Sequence, residues 1–318
     1  MRNWSHLLLA MSLTACGGGG SDPAPAYQQS ATTPKTCVDQ QAYTTPIQGD
    51  ANSDWFITNY LDTDPTEGQY SDYRGGFFTY DQHKGTDFAL HDFDQMDQGV
   101  DVYALKCGTV TAVHDGEFDR HIEFNDEKWN FVEVSHPDGS RSVYGHLKLN
   151  SLTVSVGDQV YGGDKLGEVG SSGNSTGPHL HLELIDASGA MIDPIARGYL
   201  PNDYVHDPLV LDSGVTSEAD PALYTNFFFA TPAALDSLYS SENAIVWFKV
   251  VGLKDTDSVS IFGLGPSGQP QPLGGMNTAE DFKASYWYWD IGHLEAGQNT
   301  LEIQINNVPV ASHTVEIL

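Results

Sequence analysis

Three short histidine-containing motifs carry the residue types that bind metal ions and move protons. They are HKGTD at residues 83–87, YGHL at residues 144–147 and GPHLHLE at residues 177–183. Residues two apart on a strand project to the same face, so His179 and His181 point in one direction. Imidazole nitrogen and carboxylate oxygen both bind Zn²⁺, and a catalytic site uses three such ligands and keeps a fourth position open. The motifs therefore contain the ligands of an open zinc site.

In this order and spacing, the three motifs resemble the signature of the lysostaphin-like (LytM-type) zinc metallopeptidases. The resemblance covers roughly residues 70–200 and includes SSGNSTGPHLHLE at residues 171–183. It implies that His83, Asp87 and His181 bind zinc. Three protein ligands and a water complete the tetrahedron, so we expect about one Zn²⁺ per chain. The protein is thus predicted to be a zinc metalloendopeptidase.

The same resemblance assigns His146 and His179 to the substrate side of the site. They would act as general base and as stabiliser of the tetrahedral intermediate, roles that suit histidine because its pKa lies near neutral pH. The family's usual substrates are the stem peptides and cross-links of bacterial peptidoglycan, bound in a groove on an antiparallel β-sheet. A structural role for His146 at a strand end stays open. Glu183 is predicted to support a ligand or to pack, not to catalyse.

Other features are assigned to the surroundings of this site. Two insertions, residues 91–99 and 117–130, are predicted to lie near the groove. The aromatic run at residues 286–289 would either pack in a core or stack on sugars, and packing is favoured because alternation buries one face of a strand. Four further histidines match no ligand of the family and are predicted to be surface or loop residues: His91, His114, His121 and His136.

The chain is predicted to be all-β. Short strand-like runs separated by Gly, Pro and Asp turn signals indicate an antiparallel β-sheet peptidase domain over residues 46–208. Residues 209–222 are turn-rich and are predicted to form a linker. Residues 223–318 contain strand-like runs at the spacing of a β-sandwich of immunoglobulin-like architecture, predicted to be an accessory domain.

The N-terminus has the features of an export signal. Arg2 precedes an apolar stretch at residues 7–15, and LTAC at residues 13–16 resembles the bacterial lipobox, in which Cys16 becomes the lipidated N-terminus. An ordinary signal peptide with an incidental cysteine is the alternative. Glycine rather than aspartate at position 17 favours the outer membrane by this resemblance. We therefore expect residues 1–16 to be a lipoprotein signal, and the protein to be lipid-anchored in the cell envelope and to face the periplasm.

Residues 17–45 are rich in Gly, Ser, Pro, Thr and Gln and are predicted to be a disordered tether. After Cys16, the remaining cysteines are Cys37 and Cys107. In an oxidising compartment an even pair favours a disulfide, and two separate buried thiols are the alternative.

The charge balance disfavours nucleic acid as a class of partner, and the motifs are compatible with three functions. A formal net charge of −29 over 318 residues repels phosphate backbones, so nucleic acid is not an expected partner. The leading function is hydrolysis of peptidoglycan. The alternatives are a secreted-type protease on glycine-rich extracellular proteins and a non-catalytic activator of other cell-wall hydrolases, which the complete ligand set argues against. The sequence makes no prediction of oligomeric state.

Overall fold

The computed structural model describes residue 37 and residues 42–201, 207–225 and 229–318. This part of the chain contains eighteen strands, one short α-helix and one 3₁₀ turn, Pro221–Tyr224. The prediction of an all-β protein built from antiparallel sheets is confirmed. In the described ranges, no helix is long and apolar enough to cross a membrane. Residues 1–16, and with them Cys16, lie outside the described residues.

Ten strands precede residue 200, together with the helix α1 (Phe93–Gln98): β1 (Phe56–Asn59), β2 (Thr86–Ala89), β3 (Asp101–Tyr103), β4 (Gly108–His114), β5 (Phe131–Ser135), β6 (Arg141–Gly145), β7 (Gln159–Val160), β8 (Lys165–Glu168), β9 (His179–Ile185) and β10 (Met191–Ile192). Eight of them form one sheet in the order β1-β2-β9-β6-β5-β4-β7, with β10 paired to β9. Strands β3 and β8 form a separate two-stranded sheet. The sheet thus places β2 and β6 on either side of β9.

Strand β9 shows why this sheet has two unlike faces. Its sequence HLHLELI alternates, and Leu180, Leu182 and Leu184 are buried in the core together with Phe88 of β2. Each fully buried leucine side chain contributes about 1.5–3 kcal/mol to folding. Because successive side chains point to opposite faces, the histidines of β9 are held on the other face. The apolar half of the strand therefore fixes the position of the polar half.

Eight strands follow residue 207: β11 (Leu209–Ser217), β12 (Ser237–Leu238), β13 (Ala244–Leu253), β14 (Ser258–Leu264), β15 (Pro270–Asn277), β16 (Phe282–Gly292), β17 (Gly297–Ile305) and β18 (Val308–Ile317). They form a three-stranded sheet, β11-β13-β16, and a five-stranded sheet, β12-β18-β17-β14-β15. Side chains from both sheets, including Phe248, Ile261 and Ile303, share one core. We call these two sheets the C-terminal sandwich. Its immunoglobulin-like description stays a prediction.

The predicted linker at residues 209–222 is wrong for its first nine residues. Leu209–Ser217 is strand β11, which pairs antiparallel with β13 along most of its length. The sequence Asp212-Ser213-Gly214 resembles a turn, yet the backbone hydrogen bonds of β13 hold it extended. The C-terminal sandwich therefore begins at residue 209.

The predicted tether also ends earlier than residue 45. The Thr44 N–H donates to the Leu105 carbonyl over 2.8 Å, and the Tyr43 ring stacks on Tyr199 with centroids 4.2 Å apart. Cys37 and Cys107 are joined by a disulfide with a Cα–Cα separation of 5.3 Å. These contacts attach residues 42–45 to the peptidase domain. The composition of the tether does not reveal them, because their partners are distant in sequence.

Residues 91–99 contact the C-terminal sandwich. Asp92 caps helix α1 by accepting from the Gln95 N–H over 2.9 Å, and its Oδ2 lies 3.3 Å from the buried Nζ of Lys249 in β13. Lys249 also lies 2.5 Å from the Thr231 hydroxyl. The expectation that residues 91–99 lie near the groove is therefore wrong. They join the two halves of the molecule.

Candidate active site

Sheet register brings the candidate ligands together. Asp87 of β2 lies directly opposite His181 of β9, and His181 lies opposite Gly145 at the end of β6. His83 precedes β2 in the turn of the first motif. Directly opposed residues in antiparallel strands have Cβ atoms about 4.5–5.5 Å apart, so side chains on one face of these strands meet.

Three donor atoms converge at this point. His83 Nε2 lies 3.2 Å from Asp87 Oδ1 and 3.2 Å from His181 Nδ1, and His181 Nδ1 lies 2.7 Å from Asp87 Oδ1. Tetrahedral zinc with bonds of about 2.0–2.1 Å separates its ligands by about 3.3 Å. All three residues are at most 7 % exposed. Two imidazoles and one carboxylate at these separations fit a zinc ion with small adjustments.

Neighbouring groups orient His83 and Asp87. The Nδ1–H of His83 donates to the Tyr60 carbonyl over 2.7 Å, which leaves the lone pair on Nε2, the atom that faces the other ligands. Asp87 presents Oδ1 to the histidines, and its Oδ2 accepts from Asn59 Nδ2 over 2.8 Å. Such outer contacts fix the tautomer and orientation of metal ligands.

His181 has a comparable partner. Its Nε2 lies 3.5 Å from Glu183 Oε1, on the side of the ring away from Asp87. The carboxylate faces Nε2 and so favours the tautomer that leaves Nδ1 free to bind a metal. Burial opposes a charged ring here, yet hydrogen bonds to Asp87 and Glu183 raise the pKa of His181 to about 9 without metal. Glu183 thus supports a candidate ligand, as its position on β9 led us to expect.

Two motif glycines are required by close approach. A Cβ on Gly85 would lie 2.5 Å from the Leu182 carbonyl oxygen and 2.8 Å from His181 Nε2. A Cβ on Gly145 would lie 2.0 Å from the ring of Trp129. Real Cβ atoms do not approach so closely. HKGTD therefore needs glycine to leave room for the ring of His181, and YGHL needs glycine to leave room for the ring of Trp129.

His146 and His179 face the groove beside the donor cluster. Their ring centroids are 4.5 Å apart. The Nδ1–H of His146 donates to the Ser172 carbonyl over 2.6 Å, and that of His179 donates to the Gly177 carbonyl over 2.8 Å. His146 has a φ of 58°, a left-handed conformation that non-glycine residues adopt rarely and that clusters at functional sites. In the neutral form, both rings keep a lone pair on Nε2.

Burial keeps both rings neutral. Burial lowers the pKa of His146 well below 6.5, and the nearby His179 and His181 lower it further. Burial likewise lowers the pKa of His179, although Asp87 opposes this effect. Asp87 itself is ionised: despite burial, the adjacent histidines hold the pKa of its carboxyl well below 3.8. The site therefore offers one carboxylate and two neutral proton acceptors at neutral pH.

The substrate-sized space above these residues consists of two adjoining cavities. One has a volume of about 740 Å³ and is lined by His83, His181 and Trp129; the other has a volume of about 360 Å³ and is lined by Asp87 and His179. Tyr80, Asn174 and His146 line both. We call the two cavities the groove. The insertion at residues 117–130 contributes four lining residues, so its predicted place near the groove is confirmed: Phe124, Glu127, Lys128 and Trp129.

The remaining histidines differ from one another. His136 lies in the loop between β5 and β6, as one of the two predicted alternatives has it, but it is 5 % exposed and therefore not a surface residue, because its ring is enclosed by Cys107 and Ser142. His114 ends β4, lines the groove and lies 2.6 Å from Glu117. The Nε2 of His91 lies 2.9 Å from the Ser53 carbonyl oxygen.

Within the aromatic run, Trp287 and Trp289 pack on the core of the C-terminal sandwich, whereas Tyr288 is 47 % exposed. The favoured packing role is therefore confirmed for the two tryptophans. The sequence does not predict several residues of the site, among them Asn59, Trp129 and Lys283. None stands in a histidine motif, and Lys283 lies in the C-terminal sandwich, so no local pattern marks them.

An antiparallel sheet that carries a His–Asp–His donor set below two groove-facing imidazoles defines a metallopeptidase-type site. Residues 81–194 match the model of Peptidase family M23. This part of the chain is similar to Peptidase family M23, and the proteins of that family are metallopeptidases.

Two relatives each match about a third of the chain. The peptidoglycan DD-endopeptidase ShyA of Vibrio cholerae is 33% identical over 103 residues, 32% of this chain and 20% of the relative. The DD-carboxypeptidase/endopeptidase Mpg of Neisseria meningitidis is 37% identical over 106 residues, 32% of this chain and 23% of the relative. The matched region thus spans less than a quarter of either relative. The catalytic domain of lysostaphin from Staphylococcus simulans is 25% identical with a TM-score of 0.30, over 44% of this chain and 90% of that domain.

Proposed function

We propose that this protein is a zinc metalloendopeptidase that hydrolyses peptide bonds in bacterial peptidoglycan. The observation that carries the proposal is the convergence of His83, Asp87 and His181, whose donor atoms lie 2.7–3.2 Å apart. Each donor atom is oriented by a neighbour, and the donors line a groove of substrate size. A non-catalytic activator would not need a complete and oriented ligand set.

The chain's own residues supply the proton transfers. A zinc ion held by the three ligands would act as a Lewis acid toward the scissile carbonyl and would acidify a water molecule. His146 and His179 each hold an unprotonated Nε2 toward the groove, because their Nδ1–H groups donate to backbone carbonyls. One Nε2 takes a proton from the attacking water. A ring that gains this proton becomes a donor, able to stabilise negative charge or to protonate the leaving amine.

Two observations support peptidoglycan as the substrate. The relatives ShyA and Mpg, which match this domain, are named as enzymes of peptidoglycan or of D,D-peptide bonds. The predicted export signal and lipid anchor would place the enzyme in the compartment that holds this polymer. The two cavities of the groove have volumes of about 740 Å³ and 360 Å³, and their lining mixes aromatic, histidine and amide side chains.

The test is digestion of purified sacculi by the chain produced without residues 1–16. We expect soluble peptide-containing fragments from the zinc-loaded protein, none after chelation, and recovery on addition of Zn²⁺. His181→Ala should release none, whereas His293→Ala, the same substitution at a histidine of the C-terminal sandwich, should digest like the wild type.

Elastin-like protein is the comparison substrate. Cleavage of elastin-like protein with intact sacculi would replace the substrate part of the proposal by a protease for glycine-rich proteins. Zinc-loaded protein that cleaves neither substrate, yet stimulates a separate cell-wall hydrolase, would overturn the enzymatic proposal in favour of an activator.

We also propose that Cys16 carries a lipid that anchors the protein to the outer membrane, facing the periplasm. The support is the sequence pattern of residues 1–20: a positive start, a short apolar stretch, LTAC and four glycines. Cys16→Ser should abolish incorporation of labelled fatty acid and remove the protein from the membrane fraction. Unchanged labelling and fractionation of that variant would show that Cys16 is not the anchor.

A further inference from the structure

One cation of the C-terminal sandwich reaches the metal centre. Lys283, the second residue of β16, lines the smaller cavity of the groove together with Asp87 and His179. Its Nζ lies 2.5 Å from Asn59 Oδ1 and 5.5 Å from the centroid of the Tyr80 ring. The residues joined by this hydrogen bond are 224 positions apart in sequence. A side chain of the sandwich therefore forms part of the groove wall.

Asn59 connects this lysine to a candidate ligand. Its Oδ1 faces Lys283, and its Nδ2 lies 2.8 Å from Asp87 Oδ2. An ammonium group can only donate hydrogen bonds and an ionised carboxylate can only accept them. The amide of Asn59 must therefore present its oxygen to Lys283 and its N–H to Asp87. Lys283 and Asp87 thus hold the amide from its two ends in a single orientation.

The two carboxylate oxygens of Asp87 have different partners, and this makes the contact with Asn59 important. Oδ1 lies toward His83 and His181, whereas Oδ2 is held by Asn59. A carboxylate held at one oxygen cannot rotate freely about its Cβ–Cγ bond, so the other oxygen stays in place. If Lys283 were absent, the amide oxygen of Asn59 would lose its donor, and the amide would be free to turn away from Asp87 and release Oδ2.

The contact is specific rather than a general ion pair. In a chain with 43 acidic residues, a largely buried lysine is expected to pair directly with a carboxylate. Lys249 does so with Asp92 at the same interface between the two halves of the molecule. Lys283 instead contacts a neutral amide whose other end binds Asp87. The two lysines thus join the same two regions through different partners.

We propose that Lys283 is a positioning residue that acts through Asn59 to hold Asp87 in its ligand orientation, which makes the C-terminal sandwich an integral part of the metal centre. The inference rests on the proposed zinc site. Loss of such an outer contact typically weakens metal binding by about 10- to 100-fold. We expect an effect of this size when the chain of hydrogen bonds is broken.

The experiment measures zinc affinity by competition with a chromophoric chelator, for the chain produced without residues 1–16. Lys283→Met keeps the length and apolar stem of the side chain and removes its donors, and it should weaken zinc binding by about 10- to 100-fold. Lys283→Arg keeps a donor-only group and should restore most of the affinity. Asn59→Leu should weaken binding to a similar extent, and the double variant Asn59→Leu/Lys283→Met no further, because both residues act in series.

Lys249→Met is the matched control, with the same substitution at the same interface but with partners away from Asp87. We expect its zinc affinity to stay near that of the wild type, even if its melting temperature falls. Equal losses of affinity in Lys249→Met and Lys283→Met would assign the effect to docking and overturn the inference, as would unchanged affinity in Lys283→Met or additive losses in the double variant. A wild-type protein that binds no zinc would instead overturn the proposed function itself.

Discussion

Two buried histidines, His136 in the loop between β5 and β6 and His181 in β9, have opposite surroundings. His136 lies between strand ends, where its Nδ1–H donates to the Cys107 carbonyl over 2.9 Å and its Nε2 lies 3.0 Å from Ser142 Oγ. The chain of contacts continues from Ser142 to the hydroxyl of Tyr144, which accepts the Leu105 N–H over 2.7 Å. Both nitrogens of His136 therefore have partners inside the protein.

At His181 the polar atoms of three residues converge on one place instead of each having a separate partner. Its Nδ1, the Nε2 of His83 and the Oδ1 of Asp87 all point to one place at the edge of the groove. Without a metal, hydrogen bonds to Asp87 and Glu183 raise the pKa of His181 to about 9 despite burial, so the ring carries a proton where a cation would otherwise bind. Burial alone does not separate a structural histidine from a chemical one. A structural histidine has a separate hydrogen-bond partner for each ring nitrogen, whereas a metal-binding histidine points one nitrogen at the same place as other ligand atoms.

The largest effect on zinc content and hydrolysis is expected from removing one of the three candidate ligands. His181→Ala should reduce zinc from about one ion per chain to a trace and abolish hydrolysis, because two remaining ligands do not form a stable site. His136→Asn should keep its zinc. Metal analysis after dialysis against a weak chelator checks both. Full zinc occupancy in His181→Ala would contradict its assignment as a ligand.

His146 and His179 test the boundary between ligand and base. Replacement of either by alanine should lower the hydrolysis rate by about 10²–10⁴-fold while zinc stays bound, since each acts on the substrate rather than on the metal. The measurement is the rate constant on sacculi together with the zinc content of the same preparation. Loss of metal from either variant would move that histidine into the ligand set.

Much of the peptidase sheet was predictable because its signals are local. The runs at residues 131–135 and 179–185 alternate apolar and polar side chains, and they are strands with these bounds. The sequence does not predict strand β15, PQPLGGMN, because most of its residues are exposed and its core contacts come from Leu273 and Met276, which are not at alternating positions. Strand β11 was taken for a linker because the Asp-Ser-Gly sequence in its middle resembles a turn.

For the candidate site, the sequence could supply residue types but not partners. The motifs point to His83, Asp87 and His181 because ligand spacing is a local pattern. The outer contacts with Tyr60, Asn59 and Lys283 depend on side chains that are distant in sequence and lie in no motif. The burial of His136 is hidden for the same reason, since its partners Cys107 and Ser142 follow no local pattern around it.

Removal of the disulfide is expected to have the next largest effect. Its Cys107 lies next to His136, the histidine whose two ring nitrogens both have partners inside the protein. Cys37 and Cys107 are 70 positions apart, and the carbonyl of Cys107 accepts the hydrogen bond from His136. Cross-linking a loop of this length lowers the entropy of the unfolded chain and stabilises the fold by up to about 4 kcal/mol.

The double variant Cys37→Ser/Cys107→Ser should therefore have a lower free energy of unfolding in urea, by at most this amount, with unchanged zinc content. Mass mapping of the non-reduced wild type should find the two cysteine peptides joined. Free thiols at both positions in protein recovered from the cell envelope would contradict the bond.

The smallest effect concerns the pH dependence of stability, and it would show directly that His136 is held neutral. Burial lowers the pKa of His136 to about 4, against 6.5 for an unperturbed histidine. Between these values the unfolded chain binds a proton that the folded chain does not, so this group lowers stability as the pH falls from 6.5 to 4, with no further change below 4. Between pH 7 and pH 5 the loss from His136 should be about 2 kcal/mol.

His136→Asn keeps a donor toward the Cys107 carbonyl without a titrating ring, so its unfolding free energy should fall by about 2 kcal/mol less over this interval than that of the wild type. His293→Asn, at an exposed histidine of the C-terminal sandwich, should show the full wild-type loss. If His136→Asn and the wild type lose the same free energy between pH 7 and pH 5, His136 is not held neutral, and the contrast between the closed and the converging histidine would have to rest on geometry alone.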